Sequence, residues 1–451
     1  MSPELPIRGD TPPPSYGFWL LRLEIEEEDG VRDKSVLRKL LGLCVSTVVV
    51  VGRELVEGGG GRRDRLDVWV RTKVGAKGCC GKCGAVSSWF DNGGGERRWR
   101  HVDVGFATCD LLAEAPRVRC PEHGVTVAEV PWARHDSAFT RAFEDLVVFD
   151  AIVSSKLAAV RRYGISWRAV DHMCVRVATE ALGRVDLLEG LVAIAIDEVK
   201  YKKGQRYLTV VCDHVTGRVI WAAKGRTKAT VGQFFDALGD ERAAKLQFVT
   251  CDGAEWIRTV LAERAAEATV CLDTFHLIGW ATKALDEVRR SEWNRLRRSG
   301  GAAAAKEFKG LRWMLLRNWE NLSPKQKGTI RDLEKANRRA FRGWQLKEEL
   351  RDIMAMPLLA AKRALDDWLS YATRSRLEPF VKLARTIRHY RASIEATIEW
   401  KLTNGISESN NAAIGRIRSA ARGFHDPESF ITMIMLDRAG IAPKLPWAAA
   451  S

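Results

Sequence analysis

The spacing of apolar and polar positions changes several times along the chain, and each change predicts a different kind of element. Residues 35–42 (SVLRKLLG) carry the spacing of a short helix, which leads into a strand around Val48. The apolar run Leu40–Gly52 (LLGLCVSTVVVVG) reads as a buried strand. It falls short of the roughly 18 apolar residues that a membrane-spanning helix needs, and no other run reaches that length. After a four-glycine turn, Gly58–Gly61, the alternation of Leu66–Val74 (LDVWVRTKV) predicts a strand returning antiparallel. A Cys- and Gly-rich patch at Gly78–Gly84 and a second glycine turn at Gly93–Gly95 follow. From 136 to 182 the periodicity is helical, broken at Gly164.

From Leu191 the pattern changes again. LVAIAIDEVKY is an apolar strand ending in acids, and RYLTVVCD and GRVIWAAKG are two more strands around a turn at Thr216-Gly217. A helix (TVGQFFDALGD), a strand (KLQFVTCDG), a helix (AEWIRTVLAERA), a strand (ATVCLD) and a helix beginning near His276 come next. Three successive strands followed by alternating helix and strand predict an α/β domain with a mixed sheet. Residues 281–402 contain no strand pattern; they are helical and rich in Arg, Lys, Ala and Trp. Residues 404–440 predict one or two further helices, and there is no internal repeat.

Composition narrows the function classes. With 451 residues and 46% hydrophobic content, a large core is expected and global disorder is excluded. A net charge of +15 suggests a polyanionic partner, most often nucleic acid, although ribosomal and membrane-surface proteins share that signature. Ten cysteines are too sparse for a disulfide scaffold. Residues 1–30 combine Pro3, Pro6 and Pro12–Pro14 with the acidic run Glu24–Asp29, and lack the pattern of a secretory signal. They read as a loosely held arm. The expected location is cytoplasmic and reducing, so closely spaced cysteines read as metal ligands or core thiols.

Two cysteine pairs of that kind stand out. Cys80-Gly-Lys-Cys83-Gly and Cys120-Pro-Glu-His123-Gly have the same spacing, each closed by a glycine. Such knuckles let four side chains reach one tetrahedral Zn²⁺, here a structural Cys₃His site. Cys79, Cys109, His101 and His135 are alternatives for one ligand, and core thiols are the plainer alternative.

The helical stretch has the outline of a helix-turn-helix. Lys156–Tyr163 is a short helix, Gly164-Ile165 the turn, and Ser166 an N-cap for a second helix from Trp167 to Leu182. In that motif the second helix enters the major groove, with Arg168, Asp171, His172 and Arg176 as exposed candidates here. An ordinary hairpin joining two domains would have the same pattern.

Three acids stand out by position. Asp197 ends the first strand of the α/β domain, Asp252 ends the fourth, and Glu408 opens a late helix in NGISESNNAAIGRIR. Strand-end carboxylates lie at the mouth of such a sheet, where ligands bind. Their hard oxygens suit Mg²⁺ or Mn²⁺, and a two-metal pair activates an attacking oxygen in phosphodiester chemistry. Glu198 adjoins Asp197, and Asp at a strand end is also a common turn former.

The motifs CGKCG, CPEHG, VPWARHDSAFT, AIDEVKYKKGQRYLTVVCD, VTCDGAEW, LDTFHLIGWATKALDEVRR and NGISESNNAAIGRIRSAARGF, in that order, resemble the DDE transposases of bacterial insertion sequences, specifically the IS-L-three (ISL3) family. The resemblance runs from about residue 36 to 437; the first 30 or so residues have no counterpart. It implies a multidomain α+β chain with a ribonuclease H-like catalytic core interrupted by an all-helical insertion. It implies Asp197, Asp252 and Glu408 as the first, second and third catalytic acids, with the insertion among the 155 residues between the last two. Glu408 rests on the SESNN context, with Glu395 and Glu399 upstream as fallbacks. Asp273 and His276 match a DxxH element that lies near the active site in related transposases; an N-cap and a core histidine are the plainer alternatives.

The expected organisation is an arm at 1–34, a zinc-binding module at 35–135, a helix-turn-helix at 136–185, a catalytic core at 186–290, a helical insertion at 291–400 and the rest of the core at 401–451. The expected function is metal-dependent cleavage and strand transfer at terminal inverted repeats, with two Mg²⁺ (or Mn²⁺) ions and one Zn²⁺. Double-stranded DNA, both transposon ends and target, is the expected partner. A homodimer or larger assembly at the nucleoid follows from the need to join two ends, with no membrane and no small-molecule substrate. Arg161, Arg162, Arg168, His172, Arg176, Arg416, Arg418 and Arg422 are the expected DNA contacts. Of the insertion's Trp293, Trp313, Trp319, Trp344 and Trp368, most should pack helices and one or two could stack on an unpaired base. A nuclease of the same fold and a catalytically silent DNA-binding regulator are the rival readings.

Overall fold

The computed structural model describes residues 30–44, 46–73, 78–299, 301–402 and 405–445. The expected arm therefore lies outside the described residues except for the start of the first helix. The chain divides into two compact units, residues 1–143 and 144–451.

In the first unit, helix α1 (Gly30–Leu40) precedes strands β1 (Val48–Val56), β2 (Arg65–Thr72), β3 (Ser88–Asp91), β4 (Glu96–Val104), β5 (Ala107–Glu114), β6 (Arg117–Cys120) and β7 (Gly124–Val127). The run Leu40–Gly52 is not one strand. Gly42 takes φ +61, turning the chain after α1, and Leu37, Leu41 and Leu43 are buried before the strand begins at Val48. A positive φ of this kind suits only glycine at low cost. β1 and β2 pair antiparallel in a four-stranded sheet of order β1-β2-β5-β4. Between β2 and β4 the chain leaves to form β3, which joins β6 and β7 in a separate three-stranded sheet. The larger sheet carries the core, where Trp99 and Trp132 meet edge to face.

The second unit opens with helices. Helix α2 (Arg141–Val153) runs across the division and is followed by α3 (Lys156–Tyr163) and α4 (Trp167–Leu182). Then come β8 (Ala193–Lys202), β9 (Arg206–Asp213), β10 (Val219–Lys224), α5 (Lys228–Leu238), α6 (Asp240–Ala243), β11 (Phe248–Cys251), α7 (Glu255–Arg264) and β12 (Thr269–Leu272). The order across the sheet is β10-β9-β8-β11-β12. β10 pairs antiparallel with β9 and β9 antiparallel with β8, whereas β8, β11 and β12 pair parallel. Helices α5 and α7 cover one face, burying Phe234, Phe235 and Ile257 against Ile194, Ile196 and Val249.

The rest is helical: α8 (Thr274–Ser299), α9 (Gly301–Gly310), α10 (Arg312–Leu316), α11 (Pro324–Ala336), α12 (Arg338–Ile353), α13 (Leu358–Arg374), α14 (Glu378–His389), α15 (Arg391–Trp400), α16 (Gly405–Ala420) and α17 (Pro427–Arg438). Residues from α8 to α15 share one apolar core, which also takes in Leu272 at the end of β12. The protein is thus a mixed α+β fold with a helical C-terminal region. Among the described residues, no helix is long and apolar enough to cross a membrane.

Candidate catalytic mouth and zinc knuckles

Three aspartates occupy matching positions on three adjacent strands. Cys251 on β11 is level with Ile196 on β8 and with Leu272 on β12. The next residues are Asp197, Asp252 and Asp273, so the parallel register sets all three at one level. Asp252 and Asp273 follow the last residues of β11 and β12, whereas Asp197, expected to end its strand, lies within β8, which runs on to Lys202 because β9 pairs with it over that length. Neighbouring strands lie about 4.8 Å apart, so Asp252 stands one strand from Asp197 and one from Asp273, which are themselves two strands apart. Asp252 Oδ1 accepts the Ala254 backbone N–H at 2.9 Å, and Asp273 Oδ1 accepts that of Phe275 at 2.9 Å. Asp273 therefore caps the start of α8. Its other oxygen accepts from His276 Nδ1 at 2.6 Å, so cap and histidine partner are the same residue.

Helix α16 meets β8 at Asp197. Asn411 Nδ2 donates to Asp197 Oδ2 at 2.6 Å. Asn410 is buried and donates to the Gly217 carbonyl at 3.0 Å, while its oxygen accepts from Arg438 Nε at 2.8 Å. The pair anchors α16 to the β9–β10 turn and to α17. Glu408 lies one turn before Asn411 on the same helical face, exposed. Among the described residues, the acids do not form a set with ligand atoms mutually within 4.8 Å; the Cys/His group described below does. In the sequence SESNN marks only Glu408, and nothing there marks Asn410 and Asn411 as the residues that fix α16. Of the upstream fallbacks, Glu395 is ion-paired with Arg391 at 2.7 Å and Glu399 is exposed on α15.

The mouth is crowded with negative charge. Burial pushes the Asp197 carboxyl up. Burial, and then the Asp252 charge, push Glu198 up to about 7, and Glu198 Oε1 is buried without a hydrogen-bond partner. The hydrogen bond to Asp273 pushes His276 up, with Asp252 and Asp197 acting the same way. Crowded carboxylates with an orphaned oxygen and hard donors fit a divalent cation of the Mg²⁺ or Mn²⁺ class. Phe275, beside His276, is 66% exposed.

The knuckles close on one another. Cys80 Sγ lies 3.8 Å from His123 Nδ1, Cys120 Sγ 3.6 Å from the same nitrogen, and Cys83 Sγ 3.7 Å from Cys120 Sγ. Zinc bonds of about 2.0–2.3 Å give tetrahedron edges of about 3.3–3.8 Å, so the four atoms fit that ion. The second knuckle is the β6–β7 turn, where Cys120 pairs with Gly124 and Gly124 takes φ +65. The His123 backbone N–H, foremost, holds the Cys120 thiol down to about 6. None of the alternatives joins this set. His101 is buried with Nδ1 2.8 Å from Thr140 Oγ1 and Nε2 3.1 Å from the Leu41 carbonyl. Cys109 is buried in the larger sheet, Cys79 faces Val86 across an isolated bridge, and His135 lies against Gly81 and Asp136.

In the helical hairpin, Gly164 takes φ 65 at the end of α3, and Ser166 Oγ accepts the Ala169 N–H at 3.1 Å at the start of α4. Val170, Met173, Cys174, Val177 and Ala178 form the buried face of α4. Arg161, Arg168 and His172 are exposed; Arg162 is exposed but bonded to Asp150 at 2.6 Å. The expectation that Arg176 and Asp171 are exposed is corrected. Arg176 is half-buried, with Nε donating at 2.8 Å to Glu144, whose side chain is fully buried. Asp171 is tied to the buried Lys156 and to Ser429. Arg416 on α16 and Arg422 in the turn after it are exposed, while Arg418 on α16 donates to the Lys200 carbonyl. Trp368 is buried and donates to the Leu346 carbonyl at 2.8 Å. Trp293, Trp319 and Trp344 pack on the helical core, and Trp313 is exposed beside Arg312.

Comparison with known proteins places the chain in a family. The family model of the ISL3 transposases, described as a transposase, matches residues 194–434. A second, described as the zinc-finger of transposase IS204/IS1001/IS1096/IS1165, matches residues 76–123. The chain is similar to the transposase for insertion sequence element IS1557 of Mycobacterium tuberculosis, with 41% identity over 435 residues, 92% of this chain and 98% of the relative. It is also similar to the transposase for IS1001 of Bordetella parapertussis, with 28% identity over 284 residues, 62% of this chain and 69% of that protein.

Proposed function

The chain belongs to the ISL3 family of insertion-sequence transposases, and from that premise we propose that it binds the terminal inverted repeats of its element and cuts and joins DNA strands at the aspartate mouth of its mixed sheet. The observation that carries this reading is the level placement of Asp197 and Asp252 on adjacent parallel strands, with Asn411 of α16 bonded to Asp197. A three-strand antiparallel start extended by two parallel strands supports a ribonuclease H-like core.

Asp197, Asp252 and Glu408 are the residues that would hold Mg²⁺ or Mn²⁺. Two such ions, when bound, would activate the attacking oxygen and stabilise the leaving oxygen of a phosphodiester exchange. Asp197 is fixed by Asn411, and Glu408 approaches from the first turn of α16. Asp273 orients His276, whose charged form offsets the carboxylates and gives incoming phosphate a donor. Arg416 and Arg422 extend the positive surface beside Glu408 for phosphate contact. No side chain is assigned as a covalent nucleophile.

DNA recognition falls to α4, with Arg168 and His172 on its exposed face, supported by Arg161. The zinc ribbon is a second DNA- or partner-binding module, with zinc in a structural role. Two copies or more bring two ends together. The test is incubation of the full-length protein with Mg²⁺ and DNA carrying the element's end. A transposase cuts at the end and joins pre-cut ends to target DNA. A nuclease leaves no joined product, and a silent regulator leaves the DNA intact.

A further inference from the structure

The helical region reaches back to the aspartate mouth through two hydroxyl groups. Tyr390, between α14 and α15, donates from Oη to the carbonyl of Gly253 at 2.5 Å. Gly253 directly follows Asp252. Thr397 on α15 lies with Oγ1 2.9 Å from the carbonyl of Leu272, the residue before Asp273, and 2.8 Å from the Ser393 carbonyl of its own helix. Both side chains are buried.

The loop after Asp252 is also shaped to receive this support. A Cβ on Gly253 would stand 2.5 Å from two ring carbons of Trp280, so the indole lies directly against bare backbone. Trp280 in turn leans on Tyr390, with ring centroids 5.5 Å apart. Arg258 also lies over the Tyr390 ring, 4.9 Å from its centroid, and bonds His389 at 3.1 Å. Burial pushes the Tyr390 phenol up, so it keeps its proton and acts as a donor.

We infer that Tyr390 and Thr397 are positioning residues: the helical region sets the strand-end aspartates through the Gly253 and Leu272 carbonyls, so that the metal requirement of the mouth depends on hydroxyls that touch neither metal nor DNA. This inference rests on the reading of Asp252 as a metal-holding acid. Groups bonded directly to metal ligands typically alter metal affinity or activity by about 10- to 100-fold, and these hydroxyls act through the backbone one residue further out, so the lower end of that range is expected.

The experiment titrates Mg²⁺ in an end-cleavage assay with the full chain and its Tyr390→Phe, Thr397→Val, Thr397→Ser and Asp252→Asn variants. Tyr390→Phe keeps the ring against Trp280 and removes only the hydroxyl. The expected result is a rise of about tenfold in the Mg²⁺ concentration for half-maximal cleavage in Tyr390→Phe and Thr397→Val, and a wild-type value in Thr397→Ser. Metal-free end binding stays unchanged in all of them, a readout that general unfolding would move. Wild-type Mg²⁺ dependence in both Tyr390→Phe and Thr397→Val, with Asp252→Asn inactive, overturns the positioning role alone. Cleavage by Asp252→Asn overturns the reading of the acid beneath it.

Discussion

Asn411 Nδ2 donates to Asp197 Oδ2 at 2.6 Å, joining two residues 214 positions apart in sequence. The bond restrains both the carboxylate rotamer and the height of α16, and so the approach of Glu408, one helical turn before. Asn411→Ala is expected to lower metal-dependent end cleavage by about 10- to 100-fold while leaving end binding intact, measured by gel shift and single-turnover cleavage on the same DNA. Cleavage at the wild-type rate would show that Asp197 needs no such support.

The zinc knuckles make a stoichiometric prediction. Elemental analysis should find about one zinc per chain, lost in Cys120→Ser and in Cys80→Ser. Because such small sheets owe their folding to the metal, loss should expose residues 78–128 to limited proteolysis. Zinc-free wild-type protein with an intact, protease-resistant ribbon would contradict the site.

Arg168 and Arg176 should separate recognition from stability. Arg168 is exposed on α4, and Arg168→Ala should weaken end binding by about 1–3 kcal/mol without changing the melting temperature. Arg176→Ala removes the guanidinium from the fully buried Glu144 and should destabilise the fold by about 3 kcal/mol. Thermal denaturation alongside fluorescence-anisotropy binding tests both; equal melting temperatures for the two variants would contradict the assignment.

His101 gives the first unit a pH dependence. Burial holds its imidazole down to about 4, against about 6.5 unfolded. The unfolded chain thus binds more protons between these values. Stability is fully present above about pH 6.5 and is lost as pH falls through about 4, by about 3 kcal/mol in total. His101→Gln should flatten the fall in melting temperature between pH 7 and pH 4.5; an unchanged slope would place the acid sensitivity elsewhere.

Much of this was legible in sequence because the signals are local. The strands at Ala193, Arg206 and Val219, the Ser166 cap and the paired knuckles each lie within one short window. The placement of Asp252 and Asp273 follows from strand ends, whereas Asp197 lies inside a strand that runs on to Lys202, because pairing with β9 outlasts the apolar run that marks the strand in sequence. What was hidden is what tertiary contact decides. The partner of Arg176 is a glutamate 32 positions earlier, and nothing in the α4 pattern marks that face as covered. Gly42 divides an apolar run that reads as continuous strand, because its effect is on φ and not on hydropathy. Asn411, Tyr390 and Thr397 reach distant segments through side-chain hydrogen bonds, and such bonds leave no periodic trace.

In the proposed mechanism Asp197, Asp252 and Glu408 together hold the metal ions that drive strand cleavage. Their role is tested most directly by single-turnover cleavage of an end-bearing DNA with Mg²⁺, using Asp197→Asn, Asp252→Asn and Glu408→Gln, with end binding measured on the same preparations. Each variant should bind the end as the wild type does and leave it uncut. Wild-type cleavage by any of the three would contradict the assignment of that acid.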